Sequence, residues 1–352
     1  MAPPPPIRLY FLGSGHLGLP LLRALAAAAP AGLVLAGVGT QPDRPRGRHR
    51  ALAPTPIGAE ALRLGLAPDR PACANAPEFV AHLRQLDLDL AVVVAYGQLL
   101  KEPLFTAPRH GCLNVHASLL PRHRGASPVQ AAILAGDGET GVSFMRIDRG
   151  LDTGPVWRQI RLPLRGTETA DALETALGEL AAAHLAECIT AICRAGLQPV
   201  PQPAAGATVA RKITKGQGLL DWTADCGRLE RQVRAFHPWP GTWFFLPTPK
   251  GRRRVMVTAV RPRPAVDAHP GCVVQADQDA WIVACGHGAL ELGRVVPEGR
   301  GEMNVAEFLR GCPVATGTRL ANDSNLSTEL HPTHEADPHQ CRGPGDPGRR
   351  RL

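Results

Sequence analysis

Asn114-Val115-His116 and Leu151-Asp152-Thr153-Gly154 hold the parts needed to polarise a carbonyl and move a proton. A side-chain amide can bond an oxygen on which negative charge develops. An imidazole can take up and return a proton near neutral pH. A carboxylate can orient that imidazole and balance its charge. Asn114 and His116 lie two residues apart, so on a strand they share a face. Asp152 falls in a turn bounded by Gly150 and Gly154. A lone histidine is more often a satisfied core residue than a catalyst, but the amide beside His116 and the acid in a glycine turn favour chemistry. The trio suits attack of a nucleophile on a carbonyl through a tetrahedral oxyanion. This chemistry requires no metal, and none is expected. Between the two motifs, Ser118-Leu119-Leu120-Pro121-Arg122-His123-Arg124-Gly125 is turn-rich, a place where a substrate could lie.

Two further motifs have a functional and a plain reading. Gly13-Ser14-Gly15-His16-Leu17-Gly18 has the glycine spacing of a dinucleotide fingerprint, after a strand and before a helix. The following strand ends at Val38-Gly39-Thr40-Gln41, with no acid to hold a ribose. A tight turn that needs glycine is therefore the better reading. The run from Gln41 to Arg50 places Arg44, Arg46, Arg48 and Arg50 in a loop broken by proline and glycine. It could grip phosphates or be a solvated surface loop, and composition alone does not decide. Arg234 to Gly241 reads as a helix end packed into a second domain, and Arg252-Arg253-Arg254 as a solvated edge.

These residues need a frame. Short apolar runs at Ile7–Leu12, Leu33–Val38, Leu88–Ala95, Cys112–Val115 and Val142–Ile147 read as strands. Helical patterns at 19–29, 59–64, 78–86 and 128–134 lie among them. Alternation of this kind indicates an α/β domain with a doubly wound parallel sheet. The run at 88–95 is apolar almost throughout, as a strand covered on both faces must be. A long helix from Glu168 to Arg194 follows, with Thr167 or Thr169 as N-cap and Gly196 as its stop. The expected division is a catalytic domain over 1–196, a Pro/Gly/Ala-rich linker over 197–207, a small β-barrel domain over 208–318 with one short helix, and a polar tail over 319–352 expected to be disordered.

At 352 residues and 44% hydrophobic content the chain can bury a large core. No uninterrupted apolar run of 18 residues occurs, so no membrane span is expected, and the four prolines after Ala2 do not form a signal peptide. A cytoplasmic protein is expected. The nine cysteines are scattered singly without a C-x-x-C pair, which suits neither a disulfide framework nor structural zinc. A net charge of +8 favours anionic partners, although the general abundance of arginine weakens the inference.

Asn114 to Gly125 with Gly150 to Gly154, together with Phe11-Leu12-Gly13, Val94-Ala95-Tyr96-Gly97, Asp221-Trp222 and Phe308 to Gly311, resemble the formyltetrahydrofolate-dependent formyltransferases over about residues 7 to 318. Gln41 to Pro45 and Arg234 to Gly241 are similar to the members of that family that act on aminoacylated tRNA. The resemblance implies a Rossmann-like formyltransferase fold followed by an OB-like barrel. It implies 10-formyltetrahydrofolate as formyl donor and the α-amino group of methionyl initiator tRNA as acceptor, in the service of translation initiation. It implies that Asn114, His116 and Asp152 are catalytic and that Ser118, Leu119, Leu120 and Pro121, with Tyr96 and Gly97, bind the folate. It also implies that Arg44, Arg46, Arg48 and Arg50 meet the tRNA, and that the turn at 13–18 binds no nucleotide cofactor. A monomer is expected.

Overall fold

A computed structural model describes residues 4–46, 51–249 and 251–320. Arg48, Arg50 and the tail beyond 320 lie outside the described residues. The first body contains β1 (Ile7–Gly13), α1 (Leu19–Ala26), β2 (Leu33–Gly39), a ribbon of β3 (Arg44–Arg46) and β4 (Ala51–Ala53), α2 (Pro56–Arg63), α3 (Pro77–Gln85) and β5 (Leu90–Val94). It continues through α4 (Glu102–Phe105), β6 (Cys112–His116), β7 (Arg124–Gly125), α5 (Pro128–Ala135), β8 (Glu139–Arg146), β9 (Val156–Pro163) and α6 (Ala170–Cys193).

The six-stranded sheet runs β2-β1-β5-β6-β8-β9. Its first four strands are parallel. Every residue of β5 is buried, because helices cover both faces of a parallel sheet. The last two strands are antiparallel, so the sheet is mixed. β9 went unread in the sequence. It is an edge strand whose exposed face carries Gln159, Arg161 and Pro163, and it lacks the apolar run that marks a buried strand.

Helix α6 places Leu173, Leu177, Ala181, Leu185 and Ile189 on one stripe in the same core as β1 and β5. By length and composition it could cross a membrane, but this stripe belongs to the core of the domain. Thr169 occupies the N-cap position without capping a backbone amide. Its hydroxyl donates to the Asp171 carboxylate at 2.6 Å.

The second body follows β10 (Val209–Ala210), which pairs with β7. It comprises α7 (Cys226–Ala235), β11 (Thr242–Thr248), β12 (Gly251–Arg263), β13 (Val273–Ala276), β14 (Trp281–Ala284), β15 (Ala289–Pro297), β16 (Met303–Asn304) and α8 (Val305–Gly311). The antiparallel order is β11-β12-β15-β14-β13, with β16 beside β15. Among the described residues β11 and β13 do not pair, so the OB-like domain is a curled, partly open sheet. Its core is an aromatic ladder. Trp222 and Trp281 each meet Phe244 edge-on at 5.7 Å, and Trp281 stacks on Phe308 at 5.4 Å.

The two bodies pack against each other. Arg231 donates to the Leu134 carbonyl and Arg234 to the Glu168 carbonyl. Ala235 and Phe236 enter the first body's core. The segment from Arg234 onward is thus packed into the first body, contrary to the sequence reading, because α7 aims its C-terminal end there. The linker is likewise no free spacer. Val200 bridges to Val156, and Gln202 donates to the carbonyls of Asp152 and Gly154.

Helices α1 and α2 are joined through Glu60, which bonds Arg63 and Arg23 and is held by them at a pKa of about 2. A carboxyl depressed on folding adds stability above its unfolded pKa and loses it as pH falls toward the folded value. Glu60→Gln is therefore expected to destabilise the protein at pH 7, with the difference from wild type vanishing between about pH 4.5 and 2. Urea unfolding across that range would show it; a pH-independent difference would mean the pair is not the cause.

Candidate active site

Parallel strands open a crevice at their C-terminal ends. Here β1, β5 and β6 end together, and a cavity of about 680 Å³ lies beyond β5 and β6. Tyr96, Gly97, Asn114, His116, Gly125 and Asp152 are among the residues that line it. Asn114 and His116 project from β6, opposite Met145 and Ser143 of β8. His116 is buried and Asn114 partly so. The strand alternation thus carries both side chains to one place, and the turn after β8 brings Asp152 to them.

The distances assign distinct tasks. His116 Nε2 lies 2.9 Å from the His123 carbonyl oxygen. A carbonyl only accepts, so Nε2 carries the hydrogen and Nδ1 holds the lone pair of the neutral ring. Nδ1 faces Asp152 Oδ2 at 3.7 Å, which is too far for a hydrogen bond. Asp152 instead accepts the Gly125 N–H at 2.8 Å and has the Asn114 amide at 3.5 Å. The expectation that Asp152 orients the imidazole directly is therefore not what the geometry gives. The ring is oriented by the backbone of the loop that folds back over it. Asp152 itself takes a left-handed conformation, φ 52°, and Gln202 holds its carbonyl at 2.8 Å.

Ser118, Leu119, Leu120 and Pro121 form the turn after His116. Ser118 donates to the Arg122 carbonyl, while Ser143 donates to the Ser118 carbonyl and accepts the Leu120 N–H. None of the four lines the 680 Å³ cavity. Leu119 lines a smaller one of about 240 Å³ beside Asp137. Tyr96 does line the larger cavity; burial, then the nearby Asp69, pushes its hydroxyl well above the usual phenol range.

The arginine run is a hairpin whose described strands pair Arg44 with Ala53 and Arg46 with Ala51. Its base is tied to the cavity wall, since Gln41 donates to the Tyr96 carbonyl, and away from that wall Asp43 pairs with Arg70 at 3.0 Å. In the glycine turn, the Leu17 N–H donates to the Glu174 carboxylate at 3.1 Å. An internal carboxylate thus takes a place that a phosphate would need in a dinucleotide site.

Several cavity residues escaped the sequence reading: Glu174 near the start of α6, Lys212 and Ile213 after β10, and the half-exposed Trp239. No local pattern marks them: Glu174 reaches the site through the packing of α6 against the glycine turn, and Lys212, Ile213 and Trp239 come from the chain beyond β10. Among the described residues no cluster of His, Cys, Asp or Glu could hold a metal ion.

Residues 8–189 match the family model described as formyl transferase, and residues 212–313 match the formyl transferase C-terminal domain. Fold and matches together define a formyl transferase. The methionyl-tRNA formyltransferase of Caulobacter vibrioides is 41% identical over 90% of this chain and all of that protein. That of Xanthomonas axonopodis pv. citri is 44% identical over 86% of this chain and 97% of its own. The chain belongs to the methionyl-tRNA formyltransferase family. In fold it is similar to HypX from Aquifex aeolicus, solved with tetrahydrofolic acid (TM-score 0.57, 16% identity, 86% of this chain and 47% of that one). It is also similar to an N-formyltransferase from Helicobacter canadensis, solved with folinic acid and dTDP-3-aminofucose (TM-score 0.57, 14% identity, 81% of this chain and 99% of that one).

Gly125 holds the loop against both Asp152 and β10. Its φ is 112°, and a Cβ there would stand 2.6 Å from the Ala210 carbonyl oxygen. Gly125→Ala is expected to cost about 1–3 kcal/mol in backbone strain and to lower activity by displacing the N–H that holds Asp152. Thermal unfolding and steady-state kinetics would check both; wild-type values in each would remove Gly125 from the site's support.

Proposed function

We propose that this cavity transfers the formyl group of 10-formyltetrahydrofolate to the α-amino group of methionyl initiator tRNA. The observation that carries the reading is the meeting of the Asn114 amide, the His116 imidazole and the Asp152 carboxylate at one cavity. The amine nitrogen forms a bond to the formyl carbon, and the carbonyl oxygen takes negative charge. The Asn114 amide stabilises that oxygen. His116 Nδ1, whose lone pair faces the cavity, takes the proton released by the amine. As the bond from formyl carbon to folate N10 breaks, the imidazolium returns that proton to N10. Asp152, 3.7 Å away, balances the positive charge that the ring carries between the two steps.

The folate is a consumed substrate, and its wall in this reading is Tyr96 and Gly97. Ser118 to Pro121 serve the folate site through the backbone they fix rather than through side chains lining the cavity. Arg44, Arg46, Arg48 and Arg50 receive the phosphates of the tRNA acceptor end; the tie between the hairpin base and Tyr96 supports this by placing the hairpin beside the cavity. The division into a catalytic domain over 1–196, a linker over 197–207 and a tRNA-contacting domain over 208–318 belongs to the same proposal. So does a monomer at work in the cytoplasm, where initiator tRNA is used.

Formyl transfer from 10-formyltetrahydrofolate to methionyl initiator tRNA tests the reading, with a nucleotide-linked amino sugar as parallel acceptor. Fast transfer to the tRNA is expected. Transfer to the sugar alone would keep the chemistry and overturn the acceptor. Asn114→Ala, His116→Ala and Asp152→Ala should each slow transfer by on the order of 10² to 10⁴; near-wild-type kcat/KM in any of them would take that residue out of the mechanism. Binding of tRNA should weaken steeply with salt. An Arg48→Ala, Arg50→Ala double variant should shallow the slope by roughly 0.7 to 0.9 for each phosphate no longer neutralised. An unchanged slope would mean that the hairpin touches no phosphate.

A further inference from the structure

The bond that fixes His116 comes from a backbone carbonyl, so whatever holds that carbonyl decides which ring nitrogen faces the substrate. His123 supplies it from a left-handed conformation, φ 57°, which a residue with a side chain adopts only at some cost. Three interactions hold it there. Its side-chain Nε2 bonds Asp137 Oδ2 at 2.7 Å, with both side chains about nine-tenths buried. Its backbone N–H donates to the Thr208 hydroxyl at 2.8 Å. The same hydroxyl lies 3.4 Å from its Nδ1. Asp137 follows the C-cap Gly136 of α5 and is also bonded by Arg122. Burial alone would raise the Asp137 carboxyl, but the Arg122 and His123 bonds outweigh it and hold it below its ordinary value. It is therefore a charged anchor. None of these groups lines the 680 Å³ cavity.

We infer that Asp137 and Thr208, acting through His123, are positioning residues that hold His116 with its hydrogen on Nε2 and its lone pair on Nδ1, toward the substrate. Thr208 belongs to the segment between the two bodies, so the active tautomer depends on that segment being in place. Without the anchor, His123 can leave the left-handed region, its carbonyl swings away, and the hydrogen of the neutral ring is free to move to Nδ1. That tautomer cannot accept the amine's proton from the cavity side. The inference rests on the reading of His116 as proton carrier, and the test keeps the two apart.

The full chain, labelled with ¹⁵N in its histidine rings, would be compared with Asp137→Ala, Asp137→Asn and Thr208→Ala, using His116→Gln to assign the His116 signals. In wild type, His116 should report hydrogen on Nε2. In Asp137→Ala and Thr208→Ala the two tautomers should mix, and kcat should fall roughly 10- to 100-fold while KM for both substrates changes little. Asp137→Asn keeps an oxygen that can accept from His123 Nε2 and should restore part of both signals. A variant that melts well below wild type is read from its ring signals below the melt. Unchanged His116 nitrogen shifts in the folded Asp137→Ala and Thr208→Ala proteins would overturn the inference, whatever their rates. So would a loss that Asp137→Asn does not relieve. Wild-type turnover in His116→Gln would instead sink the catalytic reading.

Discussion

The site depends on a separation being held open. His116 Nδ1 and Asp152 Oδ2 stand 3.7 Å apart, and an imidazole and a carboxylate left to themselves would close to a hydrogen bond of about 2.8 Å. Closure would need the ring's hydrogen on Nδ1 and would leave that atom without a lone pair. Each group is therefore anchored elsewhere: the ring to the His123 carbonyl, the carboxylate to the Gly125 amide. Both anchors lie in one loop, 117–125, which returns across the end of β6. The loop in turn is held from behind by Thr208 and Ala210, whose backbone oxygens accept the N–H groups of Arg124 and Ala126. The spacing of His116 and Asp152 is in this sense a property of the connection between the two bodies as much as of the sheet.

The sheet supplies the rest by topology. Because β5 is buried on both faces, its polar work can be done only at its end, and there Ala95, Tyr96 and Gly97 leave the strand and form the cavity wall. The same wall accepts Ser14 and Gln41 at the Tyr96 carbonyl. One carbonyl thus joins the first glycine turn, the root of the arginine hairpin and the cavity. The glycine spacing at 13–18, which in another protein would cradle a pyrophosphate, here lets α1 approach Ala95 and Ile57 closely.

What could be read from the sequence follows from range. Asn114 and His116 share a strand, so alternation alone places them together, and the buried run at 88–95 announces a parallel sheet. Asp152 could be suspected from its glycine turn, but whether it touches His116 or Gly125 depends on a loop 27 residues away in the chain. Gln202 sits in a proline-rich stretch that reads as a spacer, yet it binds Arg124, Asp152 and Gly154 at once. Nothing local distinguishes a pinned spacer from a loose one, since the difference lies in the partners. The antiparallel edge at β9 was hidden for a related reason: an edge strand buries one side only, and its arginines mask the period. His123 reads as one more basic residue in a turn until its carbonyl is seen against the His116 ring.

Strain points the same way. Among the described residues, Asp87, Ala95, His123 and Asp152 are the non-glycine positions with positive φ. Ala95 and Asp152 line the cavity, and His123 stands directly behind His116. Each such conformation costs about 1–3 kcal/mol, and it persists only where neighbours over-determine it. The neighbours here are Gln202 for Asp152, and Asp137 with Thr208 for His123. These groups come from the segment between the bodies and from the end of α5, not from β6, which carries Asn114 and His116. The fold thus separates two tasks that compete in one residue. Rigid strands set where Asn114 and His116 begin, while strained loops set which atom of each faces the cavity. A relaxed loop would be more stable by itself, but it would leave the imidazole free to turn its hydrogen toward the cavity.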